Sequence, residues 1–177
     1  MSQANKNSFL IRTLNCLMLK SDAYEEVEHD ESATKQALII VLMSSSALGL
    51  MQSSLWFASF SAGVILSSII FGVLSWALFA WMTYFIGTKI FRTDETEADW
   101  GQLARTLGFA NAPRILLFAV LFVSDDIIAV IATVVSIWVL ITTVIAIRQA
   151  LELNNIRAIG TGVVSNIIIS IPFLFLF

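Results

Sequence analysis

The sequence is poor in the residues on which most protein chemistry depends. Its one cysteine, Cys16, excludes an intramolecular disulfide and leaves the redox compartment unmarked. Its one histidine, His29, sits in an acidic polar stretch, where a solvated imidazole is a simpler reading than a ligand or a base. There is no Cys-x-x-Cys pair, zinc-protease motif, serine-hydrolase elbow or phosphate-binding loop, so neither a catalytic site nor a metal or cofactor site is expected. Charge is scarce too. Asp, Glu, Lys and Arg make up 13% of the 177 residues, about half the share usual in soluble domains. The cations form no stripe suited to nucleic acid. A cleavable leader is not expected, because the apolar patch Leu14–Leu19 is broken by Asn15, closed by Lys20 and followed by acids.

What the chain has instead is hydrophobic surface, 58% of its residues. A chain this short cannot hide that much from water. A bilayer span needs about 20 apolar residues, and five stretches qualify: about 36–55, 64–86, 103–123, 127–147 and 156–177. Apart from the third, and Arg157 at the start of the fifth, these stretches carry no charged side chain. The expected fold class is therefore all-α, an integral membrane five-helix bundle.

The cations set the expected orientation. Lys6, Arg12, Lys20 and Lys35 precede the first span; Lys89, Arg92, Arg105 and Arg114 lie between the bodies of the second and third; Arg148 and Arg157 flank the link from fourth to fifth. With five crossings, all ten fall on one side. The positive-inside rule makes that side, and the N-terminus, cytoplasmic, and the C-terminus external. A four-span arrangement would move Arg148 and Arg157 outside and break the pattern.

Residues 1–35 read as a cytoplasmic segment with two short helices. Leu10, Leu14, Leu17 and Met18 share a helical face flanked by Lys6, Arg12 and Lys20, which predicts an interfacial amphipathic helix. A short solvated amphipathic turn is the alternative. Cys16 is expected to be a small buried hydrophobe on the apolar face of that helix. Asp22 and Glu25 match a capping box. The loop of 88–100, with Asp94, Glu95, Glu97 and Asp99, is expected to be solvated, and Trp100 to mark the return to the interface. Ser124 or Asp125 is expected to cap the fourth span. Asp125 and Asp126 offer too few oxygens to hold Ca²⁺ alone. Small residues four apart (Ser45 and Gly49, Ser59 and Gly63, Ser68 and Gly72, Gly108 and Ala112, Ala158 and Gly162) predict close helix packing within the bundle, a chemistry that self-association would share.

The most informative stretch is RTLGFANAPRIL, Arg105–Leu116. Gly108, Asn111 and Pro113 interrupt what should be a span, and Pro113 lacks the backbone donor that a helix needs. Carbonyls freed by the break must find other partners. Arg114 either snorkels towards the cytoplasmic interface or faces a polar cavity, where it would meet a substrate, a lipid headgroup or the freed carbonyls.

Four pieces, SATKQALIIVLMSSSALGL (Ser32–Leu50), YFIGTKIF (Tyr84–Phe91), DWGQLARTLGFANAPRILL (Asp99–Leu117) and IAIRQALELNNIRAIGTGVVS (Ile145–Ser165), resemble in order and spacing the Yip domain family, above all its prokaryotic branch. That resemblance implies five membrane helices, a cytoplasmic N-terminus and a bacterial inner membrane. GFANAP looks like the family's glycine-aromatic-proline element, so Gly108, Phe109 and Pro113 carry over; Arg114 belongs to no family motif. Eukaryotic members are tied to Rab-type GTPases, but this chain has no DLYGP-like motif and no long soluble N-terminal region, so Rab binding does not carry over. The candidate residues are Arg105, Gly108, Phe109, Asn111, Pro113, Arg114, Arg148, Arg157 and Gly160. The expected function is a non-enzymatic scaffold or adaptor in membrane organisation or trafficking. Its expected partners are membrane lipids and other membrane proteins or a second copy of itself. A small-solute or ion transporter using the broken third span is the alternative.

Overall fold

The computed structural model describes residues 8–57, 61–93, 96 and 98–174. Lys6, Ser59, Asp94, Glu95, Glu97, the Asp125 side chain and Phe177, which entered the expectations above, lie outside the described residues. All regular structure among the described residues is helical. In chain order the elements are α1 (Phe9–Leu17), α2 (Ser21–His29), α3 (Ala33–Phe57), α4 (Ala62–Lys89), α5 (Trp100–Ala110), a 3₁₀ segment (Ala112–Phe122), α6 (Asp125–Ala150) and α7 (Asn155–Leu174).

Four stretches are long and apolar enough to cross a bilayer: Ala33–Leu55, Ala62–Lys89, Trp100–Phe122 and Asp126–Ala150. The apolar part of α7, Asn155–Ile171, is shorter. The third crossing is the composite one. Pro113 stands at the second position of the 3₁₀ segment, where its missing N–H costs least, and the chain continues in the tighter helix.

Helix α5 is the centre of the bundle. Every residue from Leu103 to Ala110 is buried, and Leu103, Leu107 and Phe109 pack in one core cluster with Tyr24, Val27, Ile40, Ile147 and Leu151. Its start is fixed by a capping box: Asp99 Oδ1 accepts from the Gln102 backbone N–H at 3.0 Å, and Gln102 Oε1 accepts from the Asp99 N–H at 2.6 Å. The box expected at Asp22 and Glu25 does not form, because α2 begins two residues earlier, with Lys20 at the cap position and no side-chain cap. Ser124 occupies the cap position of α6 but makes no side-chain cap bond.

The small-residue pairs of α3 and α4 face each other in antiparallel register. A Cβ added to Gly72 would stand 2.7 Å from Ser45 Cβ, and one on Gly49 would stand 2.9 Å from both Ser68 Cβ and Ile65 Cα. The two backbones approach as closely as they do because neither glycine has a side chain.

Helices α1 and α2 fold back onto the bundle. Arg12, Cys16, Tyr24 and Val27 are buried, whereas Leu10, Leu14 and Met18 are 68%, 56% and 59% exposed. Three residues of the apolar stripe expected from the spacing therefore point away from the protein, while the fourth, Leu17, packs partly buried against the core. Cys16, expected on that stripe, lies on the opposite face against the core, because two residues along a helix is more than half a turn. The Leu17 carbonyl accepts from Trp138 Nε1 at 3.1 Å, well inside α6, so α1 reaches down the flank of the bundle.

Candidate functional site

The candidate residues divide into two groups. Arg105, Arg148, Arg157 and Gly160 gather at one pole of the bundle. Gly108, Phe109, Asn111, Pro113 and Arg114 surround the break in the third crossing.

At the pole, Arg105 is buried and donates from Nε to the Glu28 carbonyl at 2.9 Å, with Nη2 on the same oxygen. It thereby holds the last turn of α2, where carbonyls lack helical partners. Arg148 Nη2 donates to Ser21 Oγ at 2.6 Å and so holds the other end of α2. Arg157 Nη1 donates to the Arg92 carbonyl at 3.4 Å, and a Cβ on Gly160 would stand 3.1 Å from the Phe91 ring. These contacts join the start of α7 to the end of α4.

Sequence reasoning missed Arg12. It is 2% exposed and donates to Glu26 Oε1 at 2.9 Å, Asp30 Oδ2 at 2.5 Å and Gln36 Oε1 at 3.3 Å. One guanidinium thus ties α1 to α2 and to the start of α3, a use of its forked donors that lysine could not match. Bonds from Ser32 and Arg12 hold the Asp30 carboxyl below its ordinary range. Burial, followed by the Glu26 charge, pushes the Cys16 thiol up to about 12.

Glu28 is buried beside an open cleft of about 480 Å³ lined by Glu25, His29, Arg148, Glu152 and Asn155. Burial raises its carboxyl from an ordinary 4.5 to about 7, with smaller contributions from Glu152 and Glu25 in the same direction and opposing ones from His29 and Arg105. The folded state therefore binds this proton more tightly than the unfolded chain does. Stability should fall as pH rises from about 4.5 to about 7 and stay at the lower level above that range. Glu28→Gln removes the cost of the buried charge. It is expected to stabilise the protein at pH 8 by about 1–2 kcal/mol, water in the cleft screening the rest, and to change little at pH 4.5. Thermal unfolding in detergent at the two pH values checks this.

At the break, the freed backbone groups are met by side chains. Asn111 N–H turns to the Gly108 carbonyl at 3.2 Å, and the Leu107 carbonyl accepts Asn111 Nδ2 at 2.8 Å instead. The Ala110 carbonyl, one turn before Arg114, accepts Thr142 Oγ1 at 2.8 Å. Thr142 is the partner that spacing alone could not supply, since it lies 32 residues away on α6. Phe109 and Pro113 are buried, and a Cβ on Gly108 would stand 2.6 Å from Ala37 Cβ. Arg114 donates from Nη1 to Asn111 Oδ1 and lines a cavity of about 850 Å³ bounded by α3, α4, α5, α6 and α7. Serines, Gln52, Thr143 and Asn166 line it with Leu, Ile, Val and Phe side chains, and none of the described lining residues is a carboxylate. Among the described residues, no group of three or more His, Cys, Asp or Glu is placed to hold a metal ion.

A family model, the Yip1 domain, matches residues 16–177. The chain belongs to the Yip1 domain family. No curated protein matches it, and no solved structure does. The match begins at Cys16, so the Yip1 domain takes in α2, the four candidate spans and α7. The Yip1 family is one of membrane proteins, and the apolar helices of this chain fit a multi-pass member of it.

Proposed function

We propose that this Yip1 domain protein is a five-span, non-enzymatic membrane organiser. The pole that carries α1 and α2 is its cytoplasmic docking face, in a bacterial inner membrane. The observation that carries the reading is the convergence at that pole. The end of α4, the start of α5, the end of α6 and the start of α7 all meet there or touch α2. A chain that returns to one pole this way crosses between visits. The 20 residues of α7 reach about 30 Å, enough for a fifth crossing. Residues 20–35 then cap the cytoplasmic pole, and α1 lies along the flank of the bundle with Leu10, Leu14 and Met18 turned to lipid. A second reading, a carrier of small solutes or ions, is favoured by the cavity at Arg114.

Side-specific labelling tests the arrangement. In a Cys16→Ser background, Glu152→Cys is expected to react with an impermeant maleimide only from the cytoplasmic face, and Asp126→Cys only from the other. Reaction of both from one face would sink the five-span reading. For the role itself, a photocrosslinker at Glu25 should recover one recurrent membrane protein. Solute flux in proteoliposomes that disappears with Arg114→Gln would favour the carrier instead.

A further inference from the structure

We infer that the cavity at Arg114 is a binding site for a phosphate oxyanion, presented by a lipid headgroup or as a free anion. The inference rests on the membrane placement proposed above but not on the docking role, and side-specific labelling tests that placement separately. Arg114 lies fourteen residues from Trp100 and eight from Phe122, on the composite third crossing. At about 1.5 Å per α-helical residue and about 2 Å per 3₁₀ residue, it stands near the middle of the bilayer. A guanidinium there is costly unless it meets a counter-charge. Among the described residues there is none: both ion pairs belong to Arg12, and no described Asp or Glu lines the cavity. Among the described residues the one side-chain hydrogen bond of Arg114 goes to a neutral amide oxygen, Asn111 Oδ1, from one of the guanidinium's five N–H groups. The remaining donors form a planar fork of the kind that grips phosphate with two parallel bonds.

The rest of the lining suits the same ligand. Ser45, the Gln52 amide N–H groups and Asn166 supply neutral donors that can bond phosphate oxygens, Ser68 Oγ holding Gln52 Oε1 at 3.0 Å, and Phe71 and Ile167 supply apolar wall for an acyl chain. A volume of about 850 Å³ exceeds what inorganic phosphate needs and accommodates a headgroup with part of a chain.

The test uses the full chain, purified in dodecyl maltoside, and reads binding by native mass spectrometry and thermal shift. Its probes are inorganic phosphate, dioleoyl phosphatidic acid, and dioleoylglycerol as the chain without the phosphate. Binding of phosphatidic acid and not of the diacylglycerol is expected, with Arg114→Gln weakening it by about ten-fold or more and Arg114→Lys by less. Binding of inorganic phosphate with the same dependence on Arg114 assigns the site to a free anion. Asn166→Phe fills the cavity from the opposite wall and leaves Arg114 in place; it should weaken binding equally, and it decides the matter if Arg114→Gln fails to fold. Binding of neither phosphate probe, or binding that survives both substitutions, overturns the proposal.

Discussion

Arg12→Ala is expected to destabilise the protein by about 3 kcal/mol and to free the N-terminal cap before the bundle unfolds. The side chain is the shared donor to Glu26, Asp30 and Gln36, so its loss removes three bonds at once and leaves α1 held by packing and by the bonds that Lys20, Tyr24 and Trp138 make to Asn15, Cys16 and Leu17. Breaking a buried ion pair from one side typically costs about 3–5 kcal/mol, because a charge is left without its partner. The lower end applies because Glu26 and Asp30 are 32% and 29% exposed and can regain water. Cys16 reports the event. Folded, its thiol is fully buried and barely ionises. Released, it returns towards an ordinary pKa of about 8.5 and should alkylate roughly a hundred-fold faster at neutral pH. Arg12→Lys keeps the charge but cannot span three acceptors, so it should fall between the two. A variant Arg12→Ala with unchanged melting and a protected Cys16 would show that packing and the Tyr24 and Trp138 bonds hold the cap without Arg12.

Much of this architecture was legible because lipid imposes a simple rule on sequence. Long runs without charge can only be spans, and α3, α4 and α6 lie within three residues of the stretches read from hydropathy. The seam between Ser45–Gly49 and Ser68–Gly72 was legible for the same reason, since in lipid only close backbones give helices much to gain. Arg12 was hidden by that rule. Flanking an apolar stripe, it looks like an interfacial cation, and only the fold shows that it faces inward with Cys16 while Leu10 and Leu14 face out. The break at Gly108–Pro113 could be read from its glycine and proline. Its repair by Thr142 could not, because a threonine in an apolar helix has no signature beyond being tolerated. The capping box Asp99-x-x-Gln102 is legible in the sequence, but the acids around it point to a solvated loop instead.

Gly108 is where the two groups of candidate residues are mechanically joined. In an unobstructed helix, Gly→Ala gains about 1 kcal/mol, because alanine has less backbone freedom to lose. Gly108 has no positive φ to forbid the change, so the sign depends entirely on space. That space is missing: the new Cβ would lie 2.6 Å from Ala37 Cβ and 3.1 Å from Ala37 Cα. The second atom is backbone and cannot turn aside. Helix α5 must therefore move away from α3, and Gly108→Ala is expected to lose about 1–2 kcal/mol net, with Gly108→Val losing about 3 kcal/mol or more. Ala37→Gly removes the nearest atom. Combined with Gly108→Ala, it should restore part of the loss and give a coupling of about 1–2 kcal/mol in a double-mutant cycle. The displaced helix carries Arg105, which grips α2, at one end and leads into Arg114 at the other. The same substitution should therefore loosen the cap and distort the cavity together, raising Cys16 alkylation and weakening phosphatidic acid binding in one variant. A stabilising Gly108→Ala would mean that α3 and α5 do not approach this closely, and the shared seam between pole and cavity would have to be abandoned.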